Sequence, residues 1–391
     1  MRKISANIVY PIDAPPIQNG VIVIDDNGQI VAIGERSSYD ASTLEIYDGI
    51  IIPGFVNTHC HLELSHKKGK VNTGTSLIPF ISNVVQFRDI PQEEIMSAIE
   101  AGDREMYEAG IVAVGDISNK KDTVAQKSKS SINYYTFVEC FDFLQEDFAS
   151  DTYLQYKAVY DAHNNADGNK KSFVPHAPYS VSKKLFQLIN QANPEDCTVS
   201  LHNQETPDEN LFFLKKEGAF LDFYKNFDIS LATFQPTQTP SINYALTHMN
   251  PTCKTLLVHN TMSTKADIEF AHQWNSKTYW ATCPNANLYI ENRLPNYQHF
   301  LDTNAKVTIG TDSLTSNWQL SILEEIKTIH QYQSYVPLET LFKWATLNGA
   351  EALGYEKELG SITLGKKPGL VLLDIEKGGS LNKKTTARRL A

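Results

Sequence analysis

The chain has 391 residues, of which 41% are hydrophobic and 20% charged, and a formal net charge of −10. That composition supplies a large core and excludes wholesale disorder, and the length fits one large domain with a smaller one beside it. The acidity, with a sequence pI of about 5.6, argues against nucleic acid as a partner, which would need a basic face.

The first fifty residues read as strands and turns. The stretches "SANIVYPI", "GVIVIDDNGQIVAIG" and "STLEIYDGIIIPG" alternate apolar and polar residues, and "DDNGQ" is a hairpin turn in which Asn27-Gly28 can take positive φ. The N-terminus lacks the apolar segment of a signal peptide, and no apolar run approaches the roughly 20 residues of a membrane helix. Five cysteines, Cys60, Cys140, Cys197, Cys253 and Cys283, are scattered without a CxxC. They read as the reduced thiols of a cytoplasmic protein with no membrane partner.

From residue 53 the texture changes. Eight apolar strands are expected, "GFVNTHCH", "GIVAVGDIS", "INYYTFVECF", "KSFVPHAPYS", "CTVSLHNQE", "KTLLVHNT", "KTYWATCPNAN" and "KVTIGTDS". Amphipathic helical stretches such as "PQEEIMSAIEAGDREMYEAG" and "SILEEIKTIHQYQSY" follow most of them. Parallel strands need crossover helices, so the expected class is α/β, a (β/α)8 TIM barrel over 53–355. An open doubly wound sheet would carry a Gly-rich phosphate turn, and no GxGxxG is present. Residues 1–52 and 356–391, including "GSITLGKKPGLVLLDI", would pair as a small β-sandwich domain. Between Thr206 and Pro251, "ENLFFLKKEGAFLDFYKNF" reads as one helical piece of a cover over the site. The basic tail "NKKTTARRLA" reads as a solvated end.

Polar residues recur at the C-terminal ends of these strands, the face on which barrel enzymes place their chemistry. Side chains at i and i+2 of a strand share a face, so His59 and His61 of "THCH" can point together into the barrel mouth while Cys60 points away. Two imidazoles side by side suit one divalent metal ion, and His202 and Asp312 are the further ligands. That donor set suits zinc, and also iron or manganese. Asp312 could instead cap a helix starting in "TDSLTSNWQL". Glu205, three residues after His202, can move a proton between water and substrate, or be a surface glutamate of "NQETPDEN". His259 could hydrogen-bond the reacting water or be a buried histidine satisfied by backbone. His176 and Tyr179 of "HAPYS" would orient substrate, Glu63 lies near enough to meet it, and Trp318 could stack on a planar ring.

In order, "PGFVNTHCH", "HAPYS", "LHNQE", "VHN" and "IGTDS" resemble the amidohydrolase superfamily, and within it the branch of guanine, cytosine and adenosine-type deaminases and triazine hydrolases. The resemblance spans nearly the whole chain. It implies metal ligation by His59, His61, His202 and Asp312, a proton-shuttling Glu205, and His259 beside the reacting water. No lysine stands where two-metal relatives carry one, and His176 is there instead, which favours one metal. The expected reaction is hydrolysis of a non-peptide carbon–nitrogen bond, the deamination of an amino-substituted heterocycle or nucleoside with Asp312 taking the second proton. The alternatives are hydrolysis of a cyclic amide, N-acyl or chloro-substituted compound on the same metal, and a non-catalytic binding scaffold. The partner is a small-molecule substrate, and a homodimer is compatible with the sequence.

Overall fold

A computed structural model describes residues 1–86, 90–375 and 380–391. The N-terminal segment forms β1 (Arg2–Val9), β2 (Ile17–Gln18), β3 (Gly20–Ile24), β4 (Ile30–Glu35) and β5 (Glu45–Pro53). The expected hairpin joins β3 to β4. Gly28 takes φ 77°, and the Asp25 carboxylate accepts from the backbone N–H of Asn27 and Gln29, both at 2.8 Å.

Eight strands follow: β6 (Phe55–Cys60), β7 (Ile111–Ser118), β8 (Asn133–Cys140), β9 (Lys170–Pro175), β10 (Thr198–Asn203), β11 (Lys254–His259), β12 (Thr278–Thr282) and β13 (Lys306–Ile309). They correspond one for one to the eight stretches expected from sequence. All neighbours are parallel, in two four-stranded sheets ordered β6-β7-β8-β9 and β10-β11-β12-β13. Between the sheets, His202 N–H donates to His176 O at 2.9 Å. On the other side, Thr311 and Asp312 N–H both donate to His59 O at 3.0 Å. Helices Gln92–Glu108, Lys183–Ala192, Lys265–Trp274 and Ile322–Tyr332 lie where amphipathic stretches were expected.

Close approach around β6 is made by glycines. A Cβ on Gly115 would lie 2.5 Å from Thr58 O, one on Gly349 2.9 Å from Val56 Cβ, and one on Gly310 2.8 Å from His59 Cβ. The strand that carries the histidine pair is therefore gripped from three sides at backbone distance.

The chain returns to its start in β14 (Leu370–Leu373) and β15 (Ala387–Arg389). These join one seven-stranded mixed sheet ordered β15-β14-β5-β1-β3-β4, with β2 on β1. The tail is thus docked, not a free solvated end. Arg389 donates to Tyr107 O at 3.0 Å and Ile111 O at 2.7 Å, and its guanidinium lies 4.1 Å from the Tyr107 ring centroid. Those contacts use the stem and fork of an arginine that charge counting treats as solvated.

The stretch expected as one helical piece is two helices, Pro207–Lys215 and Ala219–Asn226. The break falls where Lys216 and Gly218 take φ 57° and 95°, and Asp208 Oδ1 accepts from Ala219 N–H at 2.8 Å to start the second helix. No helix among the described residues is long and apolar enough to cross a membrane.

Candidate metal centre and cavity

The C-terminal ends of the parallel strands bring four donor groups together. His59 and His61 Nε2 are 3.1 Å apart, and His61 Nε2 is 3.3 Å from His202 Nε2. Asp312 Oδ1 lies 3.6 Å from His59 Nε2 and 3.4 Å from His61 Nε2. Zinc bonds of about 2.0–2.2 Å in a tetrahedron put ligand atoms roughly 3.3–3.6 Å apart, so these edges suit one ion. The hydrogen-bonding chemistry agrees. His202 Nδ1–H donates to His176 O at 2.9 Å, which leaves its Nε2 with a lone pair facing the other donors. A neutral imidazole has one N–H, so three converging Nε2 atoms cannot satisfy one another.

Two of the converging residues hold left-handed backbone, His259 at φ 71° and Asp312 at φ 57°. Such conformations cost of order 1–3 kcal/mol each in a non-glycine residue and persist where surrounding structure holds them. Ser316 Oγ donates to Asp312 Oδ2 at 2.5 Å, leaving Oδ1 for the histidines. The following helix starts only at Ile322 with Ser321 before it, so Asp312 caps no helix.

Glu205 and His259 lie beside the donors, with Glu205 Oε2 3.6 Å from His259 Nε2. His259 Nδ1–H donates to Asn287 Oδ1 at 2.9 Å, which points Nε2 the other way. The loop carrying Glu205 is held by Glu209, whose carboxylate accepts from Gln204 N–H at 3.0 Å and Glu205 N–H at 3.1 Å. Glu205 is buried and lines the cavity, so it is not a surface glutamate.

The protein's own charges shift these groups. Burial pushes the Glu205 carboxyl up to about 8. Burial likewise lowers His59 and His61 and takes His259 and His176 down to about 4. For Asp312, burial is outweighed by the His59 hydrogen bond and the charges of His61 and His259, which hold it well below the usual carboxylate range. For His202, burial is outweighed by Glu139, which holds it up at about 9. Metal binding requires neutral imidazoles and an ionised carboxylate; His59, His61 and Asp312 are shifted that way, whereas His202 gives up a proton to bind.

Above the donors is a cavity of about 360 Å³. His176 and Tyr179 lie in its wall, with His176 Nδ1 and Ser180 Oγ 2.6 Å apart. The mouth is apolar: Leu77 and Phe80 of the helix Leu77–Gln86, Phe141 and Phe143 after β8, and Phe223 and Phe227 at the second cover helix. The Tyr224 hydroxyl donates to Tyr179 O and ties that helix to the wall. Two expected substrate contacts are not in the cavity wall. Glu63 is buried, and its carboxylate accepts from Asn119 and Lys120 N–H, all at 3.1 Å. Trp318 is 54% exposed, with its ring 5.2 Å from Tyr289. Sequence reasoning missed Glu139 and Asn119, both in the wall. The signal for Glu139 was available in "FVEC", where an acid stands at a strand's C-terminal end.

The pattern of the Amidohydrolase family matches residues 50–388. The chain belongs to the amidohydrolase family. It is a hydrolase acting on carbon–nitrogen bonds, in a metal-dependent family. An adenosine deaminase of Helicobacter pylori is 25% identical over 361 residues, covering 89% of this chain and 85% of that protein. A 5'-deoxyadenosine deaminase of Methanobrevibacter smithii is 26% identical over 386 residues, covering 94% and 82%. Among solved structures, the amidohydrolase resembles the H. pylori aminofutalosine deaminase in complex with methylthio-coformycin, with a TM-score of 0.80 at 23% identity over 96% of this chain and 93% of that one. An adenosine deaminase from Xanthomonas campestris with bound zinc superposes with a TM-score of 0.74 at 22% identity, covering 95% and 84%.

Proposed function

We propose that this amidohydrolase is a zinc-dependent deaminase of an adenosine-like nucleoside, releasing ammonia from the carbon that bears the exocyclic amine. The observation that carries the reading is the Glu205–His259 pair, 3.6 Å apart in the wall of the cavity that His61, His202 and Asp312 also line. The relatives named adenosine and 5'-deoxyadenosine deaminases support the substrate class. The zinc-bound Xanthomonas structure supports the metal.

His59, His61, His202 and Asp312 would hold the metal, which when bound supplies a Lewis acid that makes a water nucleophilic near neutral pH. Glu205, buried beside His259, in its ionised form accepts the water's proton and delivers it to a ring nitrogen of the substrate. His259, its Nδ1–H held by Asn287, presents Nε2 to the attacking oxygen. Asp312 takes the second proton and passes it to the leaving amine. The aromatic mouth packs on the flat heterocycle and excludes water. His176 and Tyr179 set the substrate's orientation. Glu63 braces the loop at Asn119 and Lys120.

The architecture under this site reads as one eight-stranded barrel over 53–355, supported by the hydrogen bonds linking β9's end to β10 and β13's end to β6. Residues 1–52 and 356–391 read as the small domain. An apolar cluster that includes Ile4, Ile22, Ile51 and Leu372 supports the sheet wrapping on itself as a sandwich.

The test is ammonia release by zinc-replete protein from adenosine, 5'-deoxyadenosine and guanine, with Glu205→Gln beside it. Turnover of the adenosines and a fall of about 10²–10⁴-fold in kcat for the variant are expected. A ring-opened acid or halide without ammonia, from cyclic amide or chloro compounds, would replace deamination with another hydrolysis.

A further inference from the structure

We infer that Glu139 is a positioning residue for His202 and through it sets how tightly the protein holds its metal, an inference that rests on the metal-site reading above. Glu139 is the penultimate residue of β8 and is 2% exposed. Its Oε1 lies 3.2 Å from His202 Nδ1, the nitrogen whose proton goes to His176 O at 2.9 Å. The carboxylate and the carbonyl together keep that proton on Nδ1, and the opposite ring nitrogen is then the one free to bind a cation. A carboxylate behind a ligating imidazole fixes the ring's tautomer and strengthens it as a donor.

Glu139 is itself held in place. Asn119 Nδ2 donates to its Oε2 at 3.2 Å and to its backbone O at 2.9 Å. Among the described residues no lysine or arginine pairs with it, and Oε1 has no hydrogen-bond donor of good geometry. Among the described residues the His202 ring is its ionic partner, so removing the carboxylate's charge acts on that ring. The Glu139 charge also favours a divalent cation across the His202 ring, because Asp312 neutralises only one of the two positive charges.

Two separate readouts make the test specific. Full-length apoprotein is titrated with zinc against a chromophoric chelator, and the melting temperature of the apoprotein is measured alongside. Glu139→Gln keeps the shape and the Asn119 contact while removing the charge. It is expected to weaken zinc binding about 10–100-fold and to leave apoprotein melting close to the wild type, because the neutral His202 ring keeps its Nδ1–H on His176 O. Glu139→Asp, which retains the charge, is expected to recover part of the affinity. Zinc affinity of Glu139→Gln within twofold of the wild type would overturn the inference, as would a loss of affinity matched by a lower apoprotein melting temperature, which marks a structural role. Wild-type protein that binds zinc and releases no ammonia would sink the deaminase reading and leave this one standing.

Discussion

Gly310 of "IGTDS" offers a strong test of how the donor set is built. Its backbone is not in the left-handed region, so an added methyl acts through contact alone. In Gly310→Ala the new Cβ would lie 2.8 Å from His59 Cβ, 2.9 Å from His59 O and 3.0 Å from Cys283 Sγ. Carbon atoms pack at about 3.5–4.0 Å, so β6 and the end of β13 must part by about 0.7–1.2 Å. The seam resists, because Thr311 and Asp312 N–H both bond His59 O at 3.0 Å. Overpacking of this kind costs about 1–3 kcal/mol, and a shift of about 1 Å at a reacting centre costs on the order of 10²-fold in rate. Thermal melting, zinc affinity by chelator competition and kcat/KM together read the effect. A lowered melting temperature with weaker zinc binding is expected. A Gly310→Ala protein that melts and binds zinc like the wild type would show that His59 and Asp312 are not held by this contact.

Two further outcomes follow from buried groups at and near the cavity. Burial pushes Glu325 up to about 8, against the opposing hydrogen bonds from Asn285 and Asn317. The folded protein keeps a proton there that the unfolded chain releases above about pH 4.5. This contribution to stability is whole below that value and is lost as pH rises through about 8, with a slope of at most about 1.4 kcal/mol per pH unit. Urea midpoints across this range should fall more steeply in wild type than in Glu325→Gln; equal slopes would remove Glu325 as a source. Tyr224→Phe deletes the hydroxyl that binds Tyr179 O. Losing about 1 kcal/mol of hydrogen bond is expected to raise KM several-fold with little change in kcat, and steady-state kinetics that show a fall in kcat alone would contradict a role in holding the cover.

Strand periodicity and residue chemistry together were enough to locate the eight parallel strands and to single out His59, His61, His202, Glu205, His259 and Asp312. Strand alternation is local: it sends His59 and His61 to one face and Cys60 to the other. A polar residue at the end of an apolar run stands out wherever the strand lies in space. What sequence reading missed depends on neighbours distant in the chain. Glu63 and Trp318 are close in sequence to donors, yet the 3₁₀ turn Leu62–Lys67 turns Glu63 into the backbone of Asn119, and Trp318 packs on Tyr289 at the surface. Glu139 looked like one more acid until β8, β9 and β10 set it against His202. Cys197 and Cys253, scattered in sequence, stand with Sγ atoms 3.3 Å apart because β10 and β11 start side by side.

The sequence by itself determined the alternation of strands and helices and which residue types stand at the strand ends, because both are set by side-chain period and by contacts a few residues long. Only the tertiary structure decided which of those residues face one another across 3 to 4 Å, how closely β13 can approach β6 over Gly310, and that the basic tail docks as a strand. Each of these rests on steric fit or a hydrogen bond between segments far apart in the chain, and no local pattern carries that information.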